Sequence, residues 1–109
     1  MSDPNSIQGK VALVAGGAKN LGGLISLDMA AHGAKAVVVH FNSDSTKKAA
    51  EETAAGVKNS GAECLLIQAD LTKVKECTRL FDEAIKAFGQ VDIAINTTLT
   101  QVGAKWVLR

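Results

Sequence analysis

Apolar and polar positions along this chain fall into alternating blocks, short continuous apolar runs between longer stretches with helical spacing. Residues 10–15 carry Val11, Ala12, Leu13 and Val14 in an unbroken run, the pattern of a strand buried on both faces. Residues 20–32 predict a helix, with Leu21, Leu24, Ile25 and Met29 along one face and Gly33 as its stop signal. Residues 36–40 form a second strand rich in β-branched Val37, Val38 and Val39. A helix is expected over residues 45–60, ended by Gly61, with a small inner face of Ala49, Ala50, Ala54 and Val57 that allows close approach to a sheet. Residues 63–69 read as a third strand around Leu65, Leu66 and Ile67. Thr72 suits the N-cap of a third helix with Val74, Cys77, Phe81, Ile85 and Phe88 on one stripe and Gly89 as its end. Residues 91–95 give a fourth strand.

This βαβαβαβ series predicts an α/β fold, a partial Rossmann fold whose parallel sheet is covered on both faces, with strand order 3-2-1-4. Residues 1–96 are expected to form one dinucleotide-binding half-domain. Residues 97–109 have no clear period and one large aromatic, Trp106. They form a divergent tail, either part of the same domain or disordered.

The candidate chemistry lies in the turn between the first strand and the first helix, Ala15-Gly16-Gly17-Ala18-Lys19-Asn20-Leu21-Gly22-Gly23. Glycines there let the backbone approach a phosphate with no side chain between, and the helix that follows aims free N–H groups and its positive dipole end at the anion. Gly16 and Gly22 suit those roles. The spacing is not a strict GxGxxG, but a strand precedes it and a helix follows, which favours a dinucleotide over an ordinary glycine turn. No GxxxxGK[ST] motif is present, which disfavours a P-loop nucleotidase.

Composition narrows the function classes. The net charge of +1 over 109 residues gives no electrostatic footprint for nucleic acid or a membrane surface. No apolar run approaches the roughly 20 residues of a membrane span, and no secretory signal opens the chain, so a cytoplasmic protein is expected. Cys64 and Cys77 form no CxxC or zinc spacing and read as buried free thiols. His32, near a helix C-terminus, reads as structural.

From Gly9 through Gly22 the chain resembles the opening of short-chain dehydrogenases/reductases, whose fingerprint is TGxxxGxG after the first strand. Ala15 stands at the family's Thr and Asn20 at its middle Gly, where Asn is among the few residues that tolerate positive φ. The likeness runs over about residues 6 to 96. Asp70-Leu71 matches the family's aspartate that hydrogen-bonds near the adenine ring, and Asn96 matches the first Asn of NNAG, although Thr97, Thr98 and Leu99 do not continue that motif. The resemblance implies cofactor contacts at Gly16, Gly17, Lys19, Asn20, Leu21, Gly22, His40, Asn42, Ser43, Asp70, Leu71 and Asn96.

The resemblance also bears on which coenzyme is held. NAD sites place an acid at the end of the second strand. Here that position is His40, followed by Phe41, Asn42 and Ser43. NADP-preferring members often carry a basic residue where Lys19 stands, and Asn42 and Ser43 add neutral donors. NADP(H) is therefore expected in preference to NAD.

Other family features are missing. The reaction passes hydride between the nicotinamide and a carbonyl or alcohol carbon, with a proton exchanged by the tyrosine of a Tyr-x-x-x-Lys pair and a serine orienting substrate. This chain has no tyrosine; its serines all lie before the fourth strand, and Lys105 has no tyrosine partner. No catalytic or metal-binding residue is assigned. The expectation is the NADP(H)-binding segment of a short-chain oxidoreductase, inactive alone and acting on a small carbonyl or alcohol only if a catalytic half is supplied. The alternatives are a non-catalytic nucleotide-binding or interaction module and an unstable truncated product. A methyltransferase on a similar sheet is a weaker rival, because it too wants an acid after the second strand. The fourth strand would be a bare edge, which invites self-association.

Overall fold

The computed structural model describes residues 7–98. Its elements run β1 (Val11–Ala15), α1 (Asn20–Ala31), β2 (Ala36–Phe41), a 3-10 turn (Asp44–Thr46), α2 (Lys47–Asn59), β3 (Glu63–Gln68), α3 (Val74–Phe88) and β4 (Ile93–Asn96). All strand pairs are parallel, in the order β3-β2-β1-β4. The central strands β1 and β2 are buried along their whole length, whereas β3 and β4, at the edges, are largely half-buried. Continuous apolar runs are the pattern that two covered faces require.

Alternate residues of β1, β2 and β3 feed two cores. Leu13, Val38 and Ile67 face α3, where they meet Cys77, Leu80 and Ala84. Val14, Val37 and Val39 face α1 and α2, where they meet Ala30, Ala50 and Val57. The loop before β4 is clamped to β1 at both of its hydrogen-bonding positions: the Asp92 carboxylate accepts from Val11 N–H at 2.8 Å, and Asp92 N–H donates to the Val11 carbonyl at 2.9 Å. On the other side, Arg79 of α3 binds Glu76 and Glu83 on its own helix and donates to the Gln68 carbonyl at 2.7 Å, tying α3 to the end of β3.

Several expectations are corrected. The face of α1 that packs inward carries Gly22, Gly23, Ser26 and Ala30, flanked by the expected Ile25 and Met29, while Leu21 and Leu24 are 63% and 67% exposed. The cause is distance: the first turn of α1 lies against the backbone of the turn before it, and only small residues fit there. On α3 the buried line is Cys77, Leu80 and Ala84, with Phe81 and Phe88 packed against the core as expected, and Val74 and Ile85 are about half exposed. Thr72 does not cap α3. Lys73 holds the N-cap position without a side-chain bond, and Thr72 turns back to Asp70. On α2 the small inner face forms as expected, with Thr53 added to Ala50, Ala54 and Val57 and Ala49 only half-buried. Neither cysteine forms a disulfide, and Cys64 is only half-buried where burial was expected; desolvation pushes its thiol up to about 11. Among the described residues no helix is long and apolar enough to cross a membrane. Most of the predicted tail, Trp106 included, lies outside the described residues.

The two helix corrections have a direct measure. Leu80→Ala removes a fully buried side chain and should cost about 2–5 kcal/mol of unfolding free energy. Leu24→Ala, on the outward face of α1, should change it by no more than about 0.5 kcal/mol. Urea denaturation of the two variants checks this, and similar losses would mean that α1 packs through its leucines.

Candidate functional site

The segments leaving the C-terminal ends of β1, β2 and β4 converge on one cleft of ≈ 210 Å³. It lies beside β1, whose neighbours in the sheet are β2 on one side and β4 on the other. That is the position where the strand order reverses, and open α/β sheets bind their ligands there.

The turn out of β1 is bent by two residues in the left-handed region, Gly16 at φ 73° and Asn20 at φ 55°. Asn20 is the one non-glycine residue with positive φ among those described, in keeping with its tolerance for that conformation. Gly22 answers a different need, since a Cβ there would run into the carbonyl oxygen of Gly16. The turn and the first helical turn are in backbone contact.

Hydroxyl groups from three other elements take up the turn's carbonyls. Thr97 Oγ1, just after β4, lies 2.8 Å from the Ala15 oxygen and 3.2 Å from that of Gly16. Ser26 Oγ of α1 donates to Gly17 at 3.0 Å and to Gly22 at 2.9 Å. Thr53 Oγ1 of α2 donates to Ala18 at 2.7 Å. Two amides are held from β2: Gly16 N–H donates to His40 Nδ1 and Gly17 N–H to the His40 carbonyl, both at 3.0 Å. Beyond them α1 begins with no side-chain cap, and the bond from Gly23 N–H to the Lys19 carbonyl opens the helical series. The N–H groups of Asn20, Leu21 and Gly22 come before that bond. They are the unpaired donors that make a helix start attractive to an anion.

Of the residues expected at the site, Gly16, Lys19, Asn20, Leu21, Gly22, His40 and Asn42 line the cleft. Lys19 is exposed at its rim. His40 lines it from beneath: the residue is 1% exposed, Nδ1 is held by Gly16, and Nε2 donates to the Ala69 carbonyl at 2.8 Å. Burial pushes its titration below the ordinary imidazole range, and the Ala69 bond only partly offsets this. Gly17, Ser43, Asp70, Leu71 and Asn96 are not in the wall of the cleft. Gly17 is buried under the turn. Ser43 Oγ bonds Ser45 Oγ at 2.9 Å on the 3-10 turn. Leu71 is packed under α3. Asn96 Oδ1 accepts from Thr98 N–H at 2.9 Å and from its hydroxyl at 2.6 Å, which shapes the exit from β4. Asp70, after β3, accepts from the hydroxyl and the N–H of Thr72, and these bonds hold its carboxyl below the usual range. Its own N–H donates to Glu76 Oε1.

Sequence reasoning missed Ala18, Phe41, Thr46, Thr97 and Thr98 in the wall, and Ser26 and Thr53 behind it. The last two carried a usable signal: each is a hydroxyl on a helix face otherwise made of small or apolar residues, so each needs a buried acceptor.

A model of the short chain dehydrogenase family matches residues 10–104. Hydroxynaphthalene reductase-like protein Arp2 of Metarhizium robertsii is 42% identical over 99 residues, 91% of this chain and 36% of that protein. A solved structure from Burkholderia cenocepacia, described as a dehydrogenase with bound NADP, superposes with a TM-score of 0.82 at 56% identity, over 84% of this chain and 34% of that one. A short-chain dehydrogenase from Oenococcus oeni PSU-1 gives 0.83 at 35% identity, over 93% and 45%. The chain spans about a third of the length of the curated relatives it matches. With the strand order, the glycine turn and the family match in agreement, the chain belongs to the short-chain dehydrogenase/reductase family of oxidoreductases and matches its N-terminal region.

Proposed function

We propose that the cleft holds NADP(H), in preference to NAD(H), as the coenzyme site of a short-chain oxidoreductase acting on a carbonyl or alcohol. One observation carries the reading. The wall combines the uncapped start of α1 with Lys19, and among the described residues no carboxylate lines it. An acid at the end of the second strand would bond ribose hydroxyls and repel a 2′-phosphate, and His40 stands there instead. The NADP in the Burkholderia cenocepacia structure supports the choice.

The parts divide the coenzyme between them. The N–H groups of Asn20, Leu21 and Gly22 suit the pyrophosphate, and the missing Cβ of Gly22 keeps the backbone close enough for it. Lys19, Asn42 and Thr46 line the same cleft and suit a 2′-phosphate, with Lys19 as a point charge. Ser43 adds a hydroxyl beside them. Asp44 is the nearby acid in sequence, but its carboxylate accepts from Gln68 Nε2 at 3.1 Å and does not line the cleft. Asp70 and Leu71, after β3, are assigned to the adenine side, and Asn96 to shaping the β4 exit. A cleft of ≈ 210 Å³ is below the roughly 300–1,000 Å³ of a site that encloses a drug-sized ligand. It fits the phosphate-bearing portion of a dinucleotide.

A bound nicotinamide coenzyme supplies hydride transfer to or from a carbonyl carbon in this family. The 109 residues contain no tyrosine to exchange the accompanying proton, so this chain by itself is proposed to bind coenzyme without turnover.

Three outcomes are expected. By calorimetric titration, Lys19→Ala should weaken NADP⁺ about ten-fold, the low end for a hydrogen bond to a charged group at an exposed site, while NAD⁺ changes little; equal losses would reject the 2′-phosphate role. Gly22→Ala should weaken both dinucleotides and lower stability by about 1–3 kcal/mol, because its Cβ must displace the Gly16 carbonyl. The purified chain should show no ketone-dependent oxidation of NADPH by absorbance, and measurable turnover would refute binding without catalysis.

A further inference from the structure

His40 occupies a position where an exchangeable donor or acid would serve a ribose, yet its ring is turned into the fold. Its two hydrogen bonds fix its chemical state. Gly16 N–H can only donate, so Nδ1 must present a bare lone pair. The Ala69 carbonyl can only accept, so Nε2 must carry the proton. One neutral tautomer satisfies both, and the imidazolium satisfies only one. The backbone carbonyl of the same residue takes Gly17 N–H. A single residue of β2 therefore holds two consecutive amides of the phosphate turn and also spans to the chain leaving β3.

We propose that His40 is a positioning residue for the phosphate turn: its neutral Nε2–H form straps Gly16 to Ala69, and protonation of the ring releases Gly16 and loosens the coenzyme site. The effect on affinity rests on the coenzyme reading of the cleft; the strap itself does not.

The surroundings leave this ring to titrate by its own environment. β1 brings no titratable side chain against it. The turn brings Lys19, exposed at the cleft rim. The chain after β3 brings Asp70, whose carboxylate is held by Thr72. α3 brings Cys77, whose thiol donates to the Leu71 carbonyl at 3.5 Å, and Glu76, which is paired with Arg79. None of these charges shifts the ring; burial lowers its titration and the Ala69 bond partly restores it. The folded chain thus protonates His40 below the ordinary 6.5 of an imidazole. Between 6.5 and that lower value the unfolded chain binds more protons. The contribution of His40 to stability is therefore full above 6.5 and is lost as pH falls through the folded value.

The test follows the whole chain by NMR and calorimetry. At neutral pH the imidazole ¹⁵N shifts should report a protonated Nε2 and a bare Nδ1. On acidification the Gly16 amide should move together with the ring. A proton on Nδ1, or a Gly16 amide unmoved while the ring titrates, would overturn the strap, and a ring that stays neutral until the fold is lost would overturn the release. NADP⁺ affinity is then measured across the same pH range for the native chain and for His40→Asn, whose Oδ1 can accept from Gly16 but does not titrate. The 2′-phosphate has its own protonation near ~6, which acts on both proteins and cancels in their ratio. Below the folded value the native chain should lose up to about ten-fold more affinity per pH unit than the variant, and parallel curves would overturn the release. If His40→Asn does not fold, the Gly16 amide and the ring decide alone. If neither protein binds NADP⁺ at neutral pH, the coenzyme reading fails, and the strap is still judged by the Gly16 amide.

Discussion

The contact between the backbone of Gly16 and that of Gly22 governs the rest of this site. It requires that neither the turn nor the start of α1 carry bulk where they meet, and it draws the helix down onto the sheet through Gly22, Gly23 and Ser26. With the chain folded back so tightly, the carbonyls of Ala15 to Ala18 lose water. A buried carbonyl left unpaired costs about 1–3 kcal/mol, and here hydroxyls of Thr97, Ser26 and Thr53 meet them. Because the carbonyls are engaged in this way, the amides at the start of α1 are left for the cleft. Donors fixed before a ligand arrives need no ordering when it binds, which saves part of the entropic cost of association.

The electrostatic character of the cleft comes from what its wall omits as much as from what it holds. Asp44 and Asp70 are both near in sequence to the proposed phosphate site, and each is tied to a partner outside the wall, Gln68 and Thr72. His40 is neutral and spends both nitrogens on backbone. Lys19 is then the charged side chain in the wall, beside neutral Asn42, Thr46 and Thr98. A lone ammonium at an exposed rim gives modest affinity, yet it discriminates, because its attraction has no counterpart for a coenzyme without the extra phosphate.

The order of elements was readable from the chain because the strands are buried on both faces, and unbroken apolar runs such as Val37-Val38-Val39 leave few other readings. Strand order followed from the alternation of strand and helix. The inward faces of α1 and α3 were legible only in part: Ile25 and Met29, and Cys77, Phe81 and Phe88, pack against the cores, whereas Leu21, Leu24, Val74 and Ile85 do not. Helical spacing of large apolar residues shows which face is hydrophobic, not how close the helix lies to its neighbour. Where backbones nearly touch, as at Gly22, the small face turns inward and Leu24 is left outside. Within the site, Gly16, Asn20 and Gly22 were legible because their geometry admits few residue types. Thr97 was not, and Ser26 and Thr53 showed only that each needs a buried acceptor, since a threonine or serine gives no local sign of which distant carbonyl it will meet. His40 was legible by position but not by orientation, which depends on the Ala69 carbonyl 29 residues away.

Site and sheet are also coupled through β4. Thr97 reaches the turn only because β4 pairs with β1 in a register that sets Asn96 opposite Ala15. That register is secured at the other end of the pair by the reciprocal bonds of Asp92 and Val11. A slip of β4 would withdraw the Thr97 hydroxyl from the Ala15 and Gly16 carbonyls and leave them to bend toward the cleft, where they would oppose an anion. By linkage, a ligand that binds only the intact turn must stabilise the β1–β4 pairing by the same free energy, about 2.7 kcal/mol at a hundred-fold excess over Kd. β4 is an edge strand with no fully buried residue, so coenzyme binding would reinforce an element with little packing of its own.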